Sequence, residues 1–131
     1  MRYSLDTNHA GHLLDWHRRL TARVQNVSPT QVAFCTPSLG ELEFGFLKGS
    51  RENANRRRLD ELLSVHPGLD YDLPAARKYA ALLWQLAQQG TLIPKIDIQI
   101  AAVALVHDLI VLTADAHFDR IADLRTENWL V

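Results

Sequence analysis

Short β-like segments alternate along the chain with longer stretches of helical pattern. The strand candidates are Arg2 to Leu5, Val32 to Cys35, Ser64 to Leu69, Leu109 to Thr113 and Asn128 to Val131. The helical segments are Asn8 to Val24, Pro37 to Lys48, Glu52 to Leu63, Pro74 to Gln89 and Ile98 to His107, with a short turn near His117 to Ala122. This alternation predicts an α/β fold, in which helices cover both faces of a mostly parallel sheet and make a three-layer α/β/α sandwich. The continuous apolar run from Leu109 to Leu112 is typical of a central strand buried on both faces.

Length and composition narrow the class of protein. With 131 residues, the chain is expected to form one domain over 1–131 with its own core. It has no apolar run of about 18 residues, so we expect no membrane segment. The N-terminus has no secretory signal pattern, which predicts a cytoplasmic protein. Cys35 is the only cysteine and is expected to be a buried free thiol, and the three tryptophans are expected to complete the core.

Four carboxylates stand where strands or helices are predicted to end. Asp6 directly follows the first strand, and Asp115 lies two residues after the strand that closes at Thr113. Side chains just beyond the carboxyl ends of parallel strands point to the ligand site of an open α/β sheet. Each of the two could equally act only as a helix or turn cap.

The other two acids are Asp97 and Glu41. Asp97 precedes a helix with an apolar stripe, where it could serve as N-cap and still leave one oxygen free. Glu41 lies too deep in its helix to cap it, so a carboxylate in that apolar segment needs another partner. Four like charges brought together repel, and one or two hard divalent cations, Mg²⁺ or Mn²⁺, would keep them ionised.

These segments resemble the PIN-domain ribonucleases, specifically the VapC-like toxins of bacterial type II toxin-antitoxin pairs. The resemblance covers nearly the whole chain. It rests on the segments Tyr3 to Asn8, Gly40 to Gly45, Asp97 to Ala104 and Leu112 to Phe118 in this order, and the ending Glu127 to Trp129 resembles the family's last strand.

The resemblance implies an endoribonuclease that depends on Mg²⁺ or Mn²⁺, with Asp6, Glu41, Asp97 and Asp115 as metal-binding and catalytic acids. Asn8 and Thr113 match positions that support these acids. Glu43 is two residues from Glu41 on a helix and points about 200° away, which favours Glu41 as the acid in the site. The chain departs from the family at His117, where many members carry an acid before the phenylalanine, and Asp119 is the alternative fourth acid.

Cleavage by metal-activated water would leave a 5′-phosphate and a 3′-hydroxyl, whereas attack by the 2′-hydroxyl would leave a cyclic phosphate. Lys48 and Arg51 are candidates for contacts to the RNA backbone. The resemblance also implies a homodimer and a VapB-like antitoxin as partner. The alternatives are an inactive PIN-like protein-interaction module and a DNA or structure-specific nuclease. The six histidines lack zinc-ligand spacing, so we expect none to have a metal role.

Overall fold

The computed structural model describes every residue from Met1 to Val131 and contains one five-stranded sheet. The strand order is β3-β2-β1-β4-β5, and every neighbouring pair is parallel. The strands are β1 Tyr3–Leu5, β2 Val32–Cys35, β3 Gly68–Leu69, β4 Ile110–Leu112 and β5 Thr126–Glu127. The predicted parallel sheet is confirmed, and its strands are short because each ends where the chain turns into the next helix or loop.

Six α-helices surround the sheet. They are α1 Thr7–Leu14, α2 Arg18–Gln25, α3 Thr36–Lys48, α4 Glu52–Leu63, α5 Leu73–Gln89 and α6 Lys95–Val106, and short 3-10 helices cover Pro29–Gln31 and Ala116–Arg120. None of the helices has both the length and the apolar character that crossing a bilayer requires.

Two separate cores lie on the two faces of the sheet. Because successive side chains of a strand point to opposite faces, Val32 and Phe34 of β2 pack against α1 to α4, while Ala33 and Cys35 pack against α5 and α6. Phe34 is fully buried, and truncating a side chain of that kind to alanine costs about 3–5 kcal/mol. The three-layer α/β/α architecture is therefore confirmed.

The order of the strands places a crevice next to β1. From β1 the chain proceeds outward through β2 and β3, and it then returns to add β4 and β5 on the other side of β1. Leu5 of β1 is in register with Leu112 of β4, so these two strands end side by side. Ligands of open α/β sheets bind at such a reversal of strand order, beyond the carboxyl ends of the strands.

The long first helix predicted over Asn8 to Val24 is wrong, because the chain forms two helices there. Trp16 takes a left-handed backbone conformation with φ 60°, which an α-helix does not accommodate. The His17 N–H donates to the His12 carbonyl at 2.9 Å, and the His17 Nδ1 accepts the Leu20 N–H at 3.3 Å to begin α2. A histidine thus supplies the N-cap that the sequence pattern did not reveal.

The last strand was predicted over Asn128 to Val131, but β5 covers Thr126–Glu127. The backbone leaves the sheet because the N–H of Trp129 donates to the His9 Nε2 at 3.2 Å, a side chain of α1. Trp129 itself is buried as predicted, at 3% exposure.

The third strand is also shorter than the predicted Ser64 to Leu69. The N–H groups of Ser64 and His66 donate to carbonyls at the end of α4, so the chain completes a turn there before Gly68 joins the sheet. The expectation that every tryptophan completes the core is wrong for Trp16 and Trp84, which are 60% and 67% exposed.

Candidate active site

A polar cleft of about 230 Å³ opens at the carboxyl edge of the sheet, beside β1 and β4. No hydrophobic side chain lines it. Its lining residues are Asp6, Thr7, Asn8, Glu41, Pro94, Asp97, Asp115 and His117. The structure therefore brings all four predicted acids to one place, although they come from four separate segments of the chain.

Asp6 and Asp115 both combine a capping role with a place in the cleft. The Asp6 Oδ1 accepts the His9 N–H at 2.7 Å and caps α1. The Asp115 Oδ1 accepts the His117 N–H at 2.9 Å and caps the 3-10 helix Ala116–Arg120. Capping uses one oxygen of each carboxylate, so the second oxygen of each takes no part in the cap.

Asp6 lies against a buried histidine outside the cleft. The His9 side chain is completely buried, and its Nε2 accepts the Trp129 N–H. A neutral imidazole then carries its proton on Nδ1. That nitrogen has no hydrogen-bond partner, and the Oδ1 of Asp6 lies 3.5 Å away. His9 thus lies between the carboxylate of Asp6 and the C-terminal segment of the chain.

Asp97 reaches the cleft from the first turn of α6. Helix α6 begins at Lys95, three residues earlier than predicted, and Pro94 rather than Asp97 occupies the N-cap. The Asp97 carboxylate caps nothing and instead has its Oδ2 3.3 Å from the His117 Nδ1. The capping role considered for Asp97 is therefore wrong, and its carboxylate faces the cleft.

The surroundings of Asp97 are unfavourable for its negative charge. Burial raises the pKa of Asp97 above its ordinary value, the carboxylates of Asp115 and Glu41 raise it further, and the hydrogen bond from His117 opposes the rise. No lysine or arginine forms an ion pair with any of the four acids, since the arginine pairs involve only Glu43, Glu52, Glu61 and Asp108. The cleft is therefore short of positive charge.

Glu41 and Glu43 face different neighbours, as the helical geometry predicts. Glu41 lines the cleft and accepts a hydrogen bond from the Thr7 hydroxyl. Glu43 turns to α4, where the Arg56 Nη2 donates to its Oε2 at 2.9 Å. Thr7 was missed from the sequence, although it directly follows Asp6 and so had to begin α1 at the cleft.

His117 is the second residue of the cleft that the sequence did not reveal. Its Nδ1 lies 3.1 Å from the Asp115 Oδ2 as well as 3.3 Å from Asp97. Like the other histidines, His117 was expected to have no metal role, but the structure places its ring beside two of the acids. The signal was its position directly before Phe118, where the sequence departs from the family that it resembles.

The supporting and alternative residues take distinct positions. The Thr113 Oγ1 accepts the Asp115 N–H at 2.9 Å and fixes the turn that follows β4. Asn8 lines the cleft, whereas Asp119 is exposed and does not. Of these two acids, only Asp115 therefore lies in the cleft.

Neither candidate for RNA contacts lies in the cleft. The Lys48 Nζ sits 4.5 Å from the centre of the Phe44 ring at the end of α3. Arg51 lines a separate groove between α1 and α4 together with Trp16 and Arg58. A substrate would have to extend beyond the cleft to meet either cation.

Fold and cleft together define an α/β protein with an acidic site at the reversal point of a parallel sheet. A family model described as PIN domain matches residues 3–124. Ribonuclease VapC2 of Haemophilus influenzae is 31% identical over 133 residues, with 99% of each chain covered. This chain therefore belongs to the PIN-domain family, among the VapC ribonucleases.

Two further comparisons agree with this assignment. The tRNA(fMet)-specific endonuclease VapC of Shigella flexneri is 30% identical over 105 residues, which cover 79% of this chain and 80% of that protein. A chain in the crystal structure of DNA-bound VapBC from Salmonella typhimurium superposes with a TM-score of 0.91 at 27% identity, covering 98% of both chains.

Proposed function

We propose that this protein is the toxin of a toxin-antitoxin pair and that it hydrolyses RNA with the help of one or two Mg²⁺ or Mn²⁺ ions. The acids that bind the ions are Asp6, Glu41, Asp97 and Asp115. The observation that carries the proposal is the convergence of these four acids in one cleft of a chain that aligns with a VapC ribonuclease over 99% of its residues.

The donor set of the cleft fits a hard divalent cation. Mg²⁺ and Mn²⁺ prefer carboxylate oxygens and retain water molecules as further ligands. The four acids have no arginine or lysine partner, and burial together with neighbouring carboxylates raises the pKa of Asp97. A bound cation would supply the missing positive charge, polarise the scissile phosphate and activate a water molecule for attack.

The protein's own groups position the acids for this chemistry. Thr7 holds Glu41, Thr113 fixes the backbone at Asp115, and His9 contacts Asp6 from the core. Because these partners lie on α1 or in the turn directly after β4, the acids keep their places relative to the sheet. Attack by water on the phosphorus then breaks the bond to the 3′-oxygen, which leaves as the 3′-hydroxyl, and the phosphate stays on the 5′-end of the other product.

The partners follow from the relatives. The Salmonella structure is of DNA-bound VapBC, and the Shigella relative is named a tRNA(fMet)-specific endonuclease. On these grounds we assign to this chain a VapB-like antitoxin that restrains it and an RNA substrate. The proposed homodimer rests on the family resemblance of the sequence. Residues 1–131 act as a single PIN domain in this proposal.

Two glutamates of one helix provide a matched test. Purified wild type, Glu41→Gln, Glu43→Gln and Asp97→Asn are incubated with total cellular RNA and with DNA of equal length in the presence of Mg²⁺. RNA cleavage is expected for wild type and Glu43→Gln and is expected to be lost in Glu41→Gln and Asp97→Asn. Equal activity of all four proteins would refute the site, cleavage of DNA alone would indicate the alternative nuclease, and no cleavage by wild type would favour the inactive interaction module.

A further inference from the structure

His117 lies on the short 3-10 helix that follows β4 and turns its ring into the acidic cleft. Its backbone N–H is bound by Asp115, which fixes the start of that helix. Its Nδ1 lies between two carboxylates, 3.1 Å from the Asp115 Oδ2 and 3.3 Å from the Asp97 Oδ2. The imidazole is thus aimed at the same two oxygens that the proposed function assigns to a cation.

The spacing of these atoms suits a common metal ion. The three donor atoms all lie within 4.8 Å of one another. Two ligands that are each about 2.1 Å from one ion and about 90° apart are separated by roughly 3.0 Å, close to both observed distances from the nitrogen. An ion can therefore replace the hydrogen bond between Nδ1 and Asp97 without a large movement of the three side chains.

The other ring nitrogen of His117, Nε2, does not compete with binding of an ion at Nδ1. No hydrogen bond occupies Nε2, and 39% of the side chain is exposed. The Nε2 can carry the ring proton while Nδ1 offers its lone pair to an ion.

We propose that His117 is a nitrogen ligand of the cation held by Asp97 and Asp115, and that it makes the site select Mn²⁺ over Mg²⁺. This inference rests on the proposed function, which assigns the ion to that cleft. Mg²⁺ is a hard ion that takes oxygen ligands, whereas imidazole suits first-row transition metals. A nitrogen donor therefore adds affinity for Mn²⁺ and for Co²⁺, which follows Mn²⁺ in the order of affinities, and adds little for Mg²⁺.

A purely structural role of His117 would predict a different pattern of ion affinities. If His117 only donates a hydrogen bond that keeps Asp97 and Asp115 in place, its loss weakens all three ions by the same factor. Asparagine separates the two roles, because its side-chain amide can donate a hydrogen bond to a carboxylate but offers no imidazole nitrogen. His117→Asn restores binding under the competing role and does not under the proposed one.

The test is calorimetric titration of Mg²⁺, Mn²⁺ and Co²⁺ into wild type, His117→Ala and His117→Asn, with the visible absorption of bound Co²⁺ recorded for each. Asp119→Asn, on the same 3-10 helix but outside the cleft, is the control. Both His117 variants are expected to lose about tenfold or more in affinity for Mn²⁺ and Co²⁺, to retain Mg²⁺ affinity within about threefold, and to change the Co²⁺ spectrum.

Other outcomes overturn the inference. An equal loss for all three ions, restoration by His117→Asn, or an unchanged Co²⁺ spectrum would each show that His117 is not a ligand. RNA cleavage by the wild-type protein in the same metal solutions distinguishes a failure of this inference from a failure of the proposed function. If wild type cleaves RNA and the ion preference does not depend on His117, only this inference fails. If wild type binds no ion, the proposed function fails with it.

Discussion

Replacing Asp97 by asparagine removes a negative charge and a proposed metal ligand. The first change is expected to affect the stability of the metal-free protein and the second the stability in Mg²⁺. Without an ion, the side chain is only 19% exposed, and its donor oxygen lies no more than 4.8 Å from that of Asp115. Two unit charges at that separation repel by about 3 kcal/mol at an effective dielectric constant near 20. Asparagine has nearly the same shape and carries no charge.

The net effect on the metal-free protein is smaller than this repulsion. The hydrogen bond from His117 to the charged Asp97 carboxylate offsets about 2 kcal/mol of this repulsion in wild type. The free energy of unfolding of the variant is therefore expected to be about 1 kcal/mol higher. For a chain of this length, that gain corresponds to a melting temperature about 4 °C higher. The sign is opposite to that of most substitutions at partly buried positions, which destabilise the protein.

Addition of Mg²⁺ is expected to reverse the order of stability. At a concentration tenfold above its dissociation constant, a ligand that binds only the folded protein adds about 1.4 kcal/mol, or about 5 °C here. Wild type should show this rise, and Asp97→Asn should show much less because one of its ligands is gone. The dissociation constant for Mg²⁺ is measured by calorimetry, so the expected shift in melting temperature is known before the unfolding experiment.

The assay is thermal unfolding followed by circular dichroism, after chelation and dialysis and again with Mg²⁺. Asp119→Asn, which removes an exposed carboxylate outside the cleft, serves as control and should follow wild type. Two results would refute the reasoning. A metal-free Asp97→Asn protein that melts clearly below wild type would contradict the crowding of charges, and equal Mg²⁺ shifts in both proteins would contradict the role as ligand.

Three other predictions follow from buried groups. Since burial raises the pKa of Asp97, the folded protein holds that proton more tightly than the unfolded chain, so metal-free wild type loses stability as the pH rises through that pKa. Denaturant unfolding across this pH range should show a shallower loss for Asp97→Asn. His9→Leu leaves the Trp129 N–H buried without an acceptor and should destabilise the protein by about 1–3 kcal/mol in denaturant titrations. It should also weaken Mg²⁺ binding about tenfold by calorimetry, because Asp6 loses its support from the core, while unchanged affinity would make His9 purely structural. Cys35 is buried and burial raises the pKa of its thiol, so an alkylating reagent should modify it only after unfolding, and rapid labelling of the native protein would disprove this.

The sequence predicted those parts of the site that depend on local pattern. The apolar run before Thr113 identified a buried central strand, and the acids just beyond Leu5 and Leu112 had to share one edge once the strands were parallel. Helical periodicity separated Glu41 from Glu43, and Arg56 pairs with Glu43 as this separation requires.

The features that the sequence did not predict depend on contacts between distant residues. Trp129 leaves the sheet because its N–H binds His9, 120 residues away in the chain. The break after Leu14 depends on the His17 side chain, since histidine is an uncommon N-cap. Histidine spacing along the chain does not reveal the position of His117, because its neighbours in the cleft are carboxylates from other segments.

The four acids are proposed to form a metal-dependent site for the hydrolysis of RNA. Chemical mapping of the product ends is the most direct test of this site. Wild-type protein is freed of metal with a chelator and incubated with RNA, and Mg²⁺ or Mn²⁺ is then restored. The RNA is expected to stay intact before the ion is added and to give products with 5′-phosphate and 3′-hydroxyl ends afterwards. Cleavage in the presence of the chelator, or products that end in a 2′,3′-cyclic phosphate, would contradict this expectation.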